Sequence, residues 1–180
     1  MTDDQQWLTT AGPEWNHVEV PAEVVEHNFV TGDSSGRRLT LCYFLDGDGS
    51  VMVKVLLGSE TQGPPGHVHG GAMAALLDET MGGTAWMNGH QVVAVELNVT
   101  FKRMLPVGTR CIIRSQVSGV DGRKVRVEAT ICDEQGTLYS SGRGLFITLD
   151  PSRFADMSAQ AAARSETPGA AAARDRGTTS

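Results

Sequence analysis

Residues 63–79 read GPPGHVHGGAMAALLDE. His67 and His69 precede the pair Gly70-Gly71, and an apolar run then ends on two adjacent acids, Asp78 and Glu79. If that run is a helix, its start suits carbonyl chemistry. The first amides of a helix have no intrahelical acceptor and point out of the positive end of the dipole. Glycine there lets a substrate carbonyl come close to the backbone. Gly70, with Gly71 beside it, therefore has the makings of an oxyanion hole. His69 stands on the N-cap side, where it braces the loop or contacts the ligand.

Asp78 lies eight residues past Gly70, about 12 Å along one helix. Its side chain cannot reach a carbonyl held at the start of its own helix. Two antiparallel helices related by a twofold axis would bring Asp78 of one chain to Gly70 of the other. An active site built from these residues therefore requires a dimer with two composite sites. Gly-Gly after a proline loop also serves simply as a tight start to a helix, and a mid-helix acid usually faces solvent. Two features favour chemistry. Asp78 and Glu79 interrupt a helix otherwise too apolar to lie on a surface, and a buried carboxylate is costly without a task or a partner.

The surrounding elements follow from periodicity. Residues 38–45 and 51–58 alternate as strands around the turn residues DGDGS, which makes a hairpin. From Gly70 to about Trp86, Met73, Leu76, Leu77, Thr80 and Met81 recur at helical spacing among alanines. Such a helix is buried on most sides. Strands are expected at 92–102, 109–119, 124–133 and 137–149, as an antiparallel meander with tight turns at Asp121-Gly122 and Gln135-Gly136. One antiparallel sheet wrapped around one long central helix, an α+β fold, satisfies this order. The organisation expected is an N-terminal extension over 1–35, with a short helix near 21–28, a domain over 36–150, and a disordered Ala-rich tail over 151–180.

The chain has 180 residues and a formal charge of −6. An acidic balance argues against a general binder of nucleic acid or membrane surface. No run approaches the ~18–20 apolar residues of a membrane span. The N-terminus, MTDDQQWLTT, has no basic and apolar leader, so a cytoplasmic protein is expected. Cys42, Cys111 and Cys132 are odd in number and widely spaced, which fits free thiols in a reducing compartment. His67, His69 and Asp78 lie too far apart along one helix for a compact metal site, so none is expected. GxSxG occurs once, as GDSSG at 32–36, but it precedes an expected strand instead of joining a strand to a helix, so no serine nucleophile elbow is expected.

In 92–102, alternation puts Val93, Val95, Leu97, Val99 and Phe101 on one face and Ala94, Glu96, Asn98, Thr100 and Lys102 on the other. The polar face ends in Lys102-Arg103, and Arg123-Lys124 follow the turn at Asp121-Gly122. Two readings of these cations stand side by side: a local patch for the phosphates of a phosphorylated ligand, or single charges solvated at strand ends.

HGG followed by an acid nine residues after the histidine, then LNVTFKR, GRK and LYSSGRGLFI in that order, resembles the hotdog-fold acyl-CoA thioesterases. The likeness is to the PaaI-like branch and to thioesterase superfamily members 4 and 5, and it covers roughly residues 60–150. It implies a homo-oligomer, a dimer or a dimer of dimers, that hydrolyses acyl-CoA with no cofactor beyond the CoA of the substrate. By resemblance, Asp78 is the general base or nucleophile, Gly70 the backbone donor to the thioester oxygen, and His69 the family histidine. Thr100, Lys102, Arg123 and Lys124 match ligand-contacting positions. Two positions depart. Relatives carry Ser or Thr where this chain has Ala94, and Asn or Gln where it has Gly63, with Gln62 beside it. His67 or Glu79 is a candidate to compensate. The departures keep alive an alternative, a non-catalytic acyl-CoA-binding or regulatory hotdog protein. A hydratase on the same fold ranks behind both, because the spacing favours attack at the thioester carbon.

Overall fold

The structure is a computed structural model that describes residues 2–20, 28–150, 152 and 160. The unit Met1–Thr148 is compact and carries every element considered below. The short helix expected near 21–28 falls on residues outside the described set. So does the tail over 151–180, apart from Ser152 and Gln160.

The elements are α1 (Asp3–Thr9), β1 (Asn16–Val18), β2 (Leu39–Leu45), β3 (Val51–Leu57), α2 (Gly70–Met87), β4 (Val92–Phe101), β5 (Arg110–Asp121), β6 (Lys124–Asp133) and β7 (Leu138–Thr148). The strands form one antiparallel seven-stranded sheet in the order β1-β2-β3-β5-β6-β7-β4. The sheet wraps α2, and this is the expected hotdog arrangement. The order corrects one expectation. Only β5, β6 and β7 run as a meander. β4 does not pair with β5; it lies at the far edge beside β7.

The helix is held by its apolar stripe. Met73, Leu76, Leu77, Thr80, Met81, Thr84 and Ala85 are buried against the sheet. The opposing strands supply Val51, Val53, Val55, Ile113, Val125, Val127, Ile131 and Phe146. Gly142 on β7 lets the helix sit close, because a Cβ there would lie 3.3 Å from both Leu77 Cδ1 and Met81 Cε. Leu76 and Leu77 are fully buried, and truncating either to Ala should cost about 2–5 kcal/mol.

The outer face of the sheet is covered at β2, β3 and β5. Leu8 of α1 joins Cys42, Phe44 and Met52 in a second cluster, with Trp7 and Trp15 packed on it. Lys54 rises from β3 into this layer. Its Nζ donates to the carbonyls of Trp7 (2.9 Å) and Thr10 (2.7 Å) and lies 4.8 Å from the Trp7 ring centroid. It thus satisfies carbonyls that the C-terminal end of α1 leaves open. Arg110 pairs with Asp3 and Asp4 in the first turn of α1. At this same N-terminal end Thr2 and Gln5 form a reciprocal capping box.

β4 departs from simple alternation. A bulge falls between Ala94 and Glu96, opposite Phe146 and Leu145. The extra residue shifts the facing pattern. Ala94 pairs with Phe146, while Leu97, Val99 and Phe101 pair with Gly144, Gly142 and Ser140. Gly142 and Phe146 both lie on the helix side. Ala94 therefore shares a face with Leu97, Val99 and Phe101, not with Glu96, Asn98 and Thr100 as alternation predicted. All three cysteines are free. Cys42 and Cys111 are buried and Cys132 is half-buried; burial pushes the Cys111 thiol up to about 12.

Candidate active site

The loop before α2 is built by its own backbone. Gly63 N donates to His67 O (2.9 Å), Val68 N to Leu105 O (2.8 Å), and His69 N to Thr61 O (2.7 Å). Gln62 Oε1 accepts from Gly66 N at 2.9 Å. Gly63 is fixed by packing: a Cβ there would lie 2.9 Å from His69 Cα and 3.0 Å from His69 Cδ2. A side chain at position 63 would displace His69.

His69 is the N-cap residue. Its Nδ1 accepts from Gly71 N at 2.8 Å, and its carbonyl receives the amides of Ala72 (3.0 Å) and Met73 (3.3 Å). The imidazole is therefore assigned its proton on Nε2. His67 takes the opposite tautomer, because its Nδ1 lies 2.9 Å from the carbonyl of Pro65, which can only accept. Gly71 has spent its amide on His69. Among the described residues the Gly70 amide has no acceptor. Of the two glycines, Gly70 alone keeps a backbone donor free for a ligand.

That amide borders a cleft of about 290 Å³ lined by Pro64, His67, Val68, Gly70, Met73, Phe101, Lys102, Arg103 and Met104. The walls are largely apolar and the rim carries two cations. Lys102 is thus brought beside Gly70, a juxtaposition across the sheet that sequence distance did not reveal. Arg103 Nη1 donates to Leu138 O (2.9 Å). Thr100 is exposed on the adjoining strand, and its carbonyl accepts from Ser140 Oγ (3.1 Å).

Asp78 and Glu79 lie further along α2, both half-buried. Burial raises the Asp78 carboxyl above the usual carboxylate range. Burial also raises Glu79, against the pull of the Asn28 hydrogen bond and with a smaller push from Asp78. Asn28 Nδ2 donates to Glu79 Oε1 at 3.2 Å, while Asn28 Oδ1 accepts the amides of Val30 and Thr31. Glu79 thus anchors the turn at 28–31. No sequence signal joins residues 51 positions apart. Asp78 makes no hydrogen bond among the described residues.

A single basic patch does not form within one chain. The Arg123 guanidinium donates to Thr148 O (Nη2, 3.0 Å), and Lys124 pairs with Ile147. Thr148 faces Val92, the first residue of β4. Lys102 lies past the last residue, about 30 Å away at the rise of an extended strand. Arg123 and Lys124 therefore stand at one end of β4, and Lys102 and Arg103 at the other. Among the described residues no group of three or more His, Cys, Asp or Glu is placed to hold a metal ion.

Comparison with known proteins gives the same picture. Residues 65–140 match the family model of the thioesterase superfamily. Acyl-coenzyme A thioesterase THEM4 of Mus musculus is 40% identical over 97 residues, covering 53% of this chain and 42% of that protein. The chain spans about half the length of the curated relatives it matches. A crystal structure of a thioesterase superfamily protein superposes with a TM-score of 0.63 at 32% identity, covering 68% of this chain and 60% of that one. The PaaI protein of the E. coli phenylacetic acid degradation operon shares the fold, with a TM-score of 0.56 at 16% identity over 72% of this chain and 83% of that one. Sheet order and these likenesses show the hotdog fold, and residues 65–140 are similar to the thioesterase superfamily.

Proposed function

We propose that the protein is an acyl-CoA thioesterase whose active sites form between two copies of the chain. The observation that carries this reading is the Gly70 amide, a helix N-terminal donor without an acceptor in an apolar cleft rimmed by Lys102 and Arg103. Such a donor polarises a thioester carbonyl and stabilises the oxyanion that forms when the carbon is attacked. The partner's Asp78 supplies the attack, as general base on water or as nucleophile. Either route ends in free acid and CoA thiol. His69 fixes the loop and presents Nε2–H beside the site.

The edge of the sheet supports the dimer. β4 has one unpaired edge, and its Val93, Val95, Leu97 and Phe101 are exposed. A long apolar edge strand is a template for pairing. Two β4 strands paired antiparallel about a twofold axis would set Lys102 of one chain near the Val92 end of the other. The partner's Arg123 and the partner's Lys124 stand there. One twofold axis then joins both halves of the basic patch and both halves of the catalytic pair, with the nucleotide of CoA held by cations from two chains.

The test is release of CoA thiol from an acyl-CoA panel, run on the wild type and Asp78→Asn together. Turnover by the wild type, lost by orders of magnitude in Asp78→Asn with binding retained, supports the proposal and identifies the acyl group. A second reading, an acyl-CoA binder without catalysis, draws on Ala94 and Gly63, which leave the site without two polar side chains. Binding of acyl-CoA with no thiol release by either protein would favour it.

A further inference from the structure

Phe101 is the last residue of β4, and its ring lies against Gly70. A Cβ built on Gly70 would sit 3.3 Å from Phe101 Cζ and 3.6 and 3.7 Å from Cε1 and Cε2. The backbone donor of the site is thus flanked by the far edge of an aromatic ring. That ring also lines the cleft that Gly70 shares with Val68, Met73 and Lys102. Its position is fixed from behind. Ser140 Oγ ties the Thr100 carbonyl to β7, and the Lys102 amide donates to Tyr139 O at 2.8 Å. Yet Phe101 is 51% exposed, so one side of the ring packs and the other faces the cleft. The next residue, Lys102, lines the same cleft. One strand end therefore carries both an apolar wall beside the donor and a cation for a phosphate.

We propose that Phe101 is the positioning residue of the oxyanion site: its edge packs on Gly70 while its open face takes the thioester arm of acyl-CoA, holding the carbonyl on the Gly70 amide and keeping water away from it. This rests on the thioesterase reading above. The physical warrant is that a backbone donor is worth far more in a dry, preorganised site than in water. The contact also gives a reason for glycine at position 70 beyond helix geometry, since any side chain there would press on the ring.

The experiment measures kcat and KM for an acyl-CoA substrate, and Kd for CoA, in Phe101→Ala and Phe101→Leu, with oligomeric state recorded for each. The expected result is a kcat reduced roughly tenfold or more in Phe101→Ala, with less loss in Phe101→Leu. CoA affinity should be nearly unchanged, because the cations remain. Gly70→Ala should cost less kcat in the Phe101→Ala background than in the wild type, since the residue it presses on is gone. An unchanged kcat, a parallel fall in kcat and CoA affinity, or strictly additive effects with Gly70→Ala would each overturn the proposal. Failure of the thioesterase reading looks different. The wild type itself would release no thiol, and the role of Phe101 would fall with it.

Discussion

Strands β3 and β4 have similar apolar content and opposite fates. VMVKVLL is buried at every position but Leu56. VVAVELNVTF is exposed at every position except Val92, which is buried, and Val99, which is half-buried. The difference lies in their cover. β3 sits inside the sheet with α2 on one face and α1 on the other, so it reads as the near-continuous apolar run of a doubly covered strand. Even its lysine is absorbed, through two carbonyls of the α1 C-terminus. β4 sits at the edge with one side unpaired. Its apolar residues are core-like in composition but lack a covering layer in the single chain. β3 holds the fold together, and β4 is the surface on which the proposed second copy completes the site.

The same charge placed on each strand should separate these roles most sharply. Val53→Glu buries an unpaired carboxylate in the core and should cost several kcal/mol, leaving the chain unfolded or aggregated. Leu97→Glu should leave the chain folded by circular dichroism but monomeric by light scattering, with thiol release lost. A dimeric, active Leu97→Glu would contradict the assignment of β4 as the interface.

A smaller effect tests the two ends of β4. Lys102→Ala and Arg123→Ala, tested separately, should each weaken CoA binding about tenfold, the worth of one charge-assisted hydrogen bond. Pantetheine thioesters lacking the nucleotide should be unaffected. The losses should shrink as salt screens the wild-type contacts. Loss at Lys102 alone would confine the phosphate contacts to one chain.

The smallest effect is on stability. Burial raises Asp78 and Glu79 above their ordinary values. Between the ordinary carboxylate range and those raised values the folded state binds more protons than the unfolded state. Stability therefore falls as pH rises through that window and stays lower above it. Asp78→Asn removes one such charge, so it should raise the melting temperature by a few degrees at neutral pH and flatten the pH dependence. Activity should move the other way, rising as pH passes the raised Asp78 value. A melting temperature lower than wild type at neutral pH would show that Asp78 is held by a favourable partner instead.

Much of this was legible in the sequence, for identifiable reasons. The core strands and α2 announce themselves because one face of each is uniformly buried. The glycine pair marks the start of α2, and the fixed rise per residue separates it from Asp78 within one chain. α1 leaves no periodic signal, because its seven residues are too few, although Thr2 and Gln5 stand at capping-box spacing. The position of β4 and the division of the basic patch depend on strand order, which local pattern does not encode. The bulge at Ala94–Glu96 likewise leaves no mark in the alternation it breaks. The contacts of Phe101 with Gly70 and Asn28 with Glu79 join distant segments, and no local pattern reports them.

The central claim, a site shared between two chains, can be tested by complementation. Gly70 is the first residue of α2, a position where proline is tolerated, so Gly70→Pro deletes the free amide while keeping the helix start, and its ring presses on Phe101 of the same chain. Gly70→Pro and Asp78→Asn should each be inactive as homodimers. Co-expressed in equal amounts, they should form mixed dimers in which one site carries both lesions and the other carries neither. Random pairing then predicts recovery of about a quarter of wild-type activity. A mixture as inactive as its parents, with subunit exchange shown and the wild type active, would contradict the shared site.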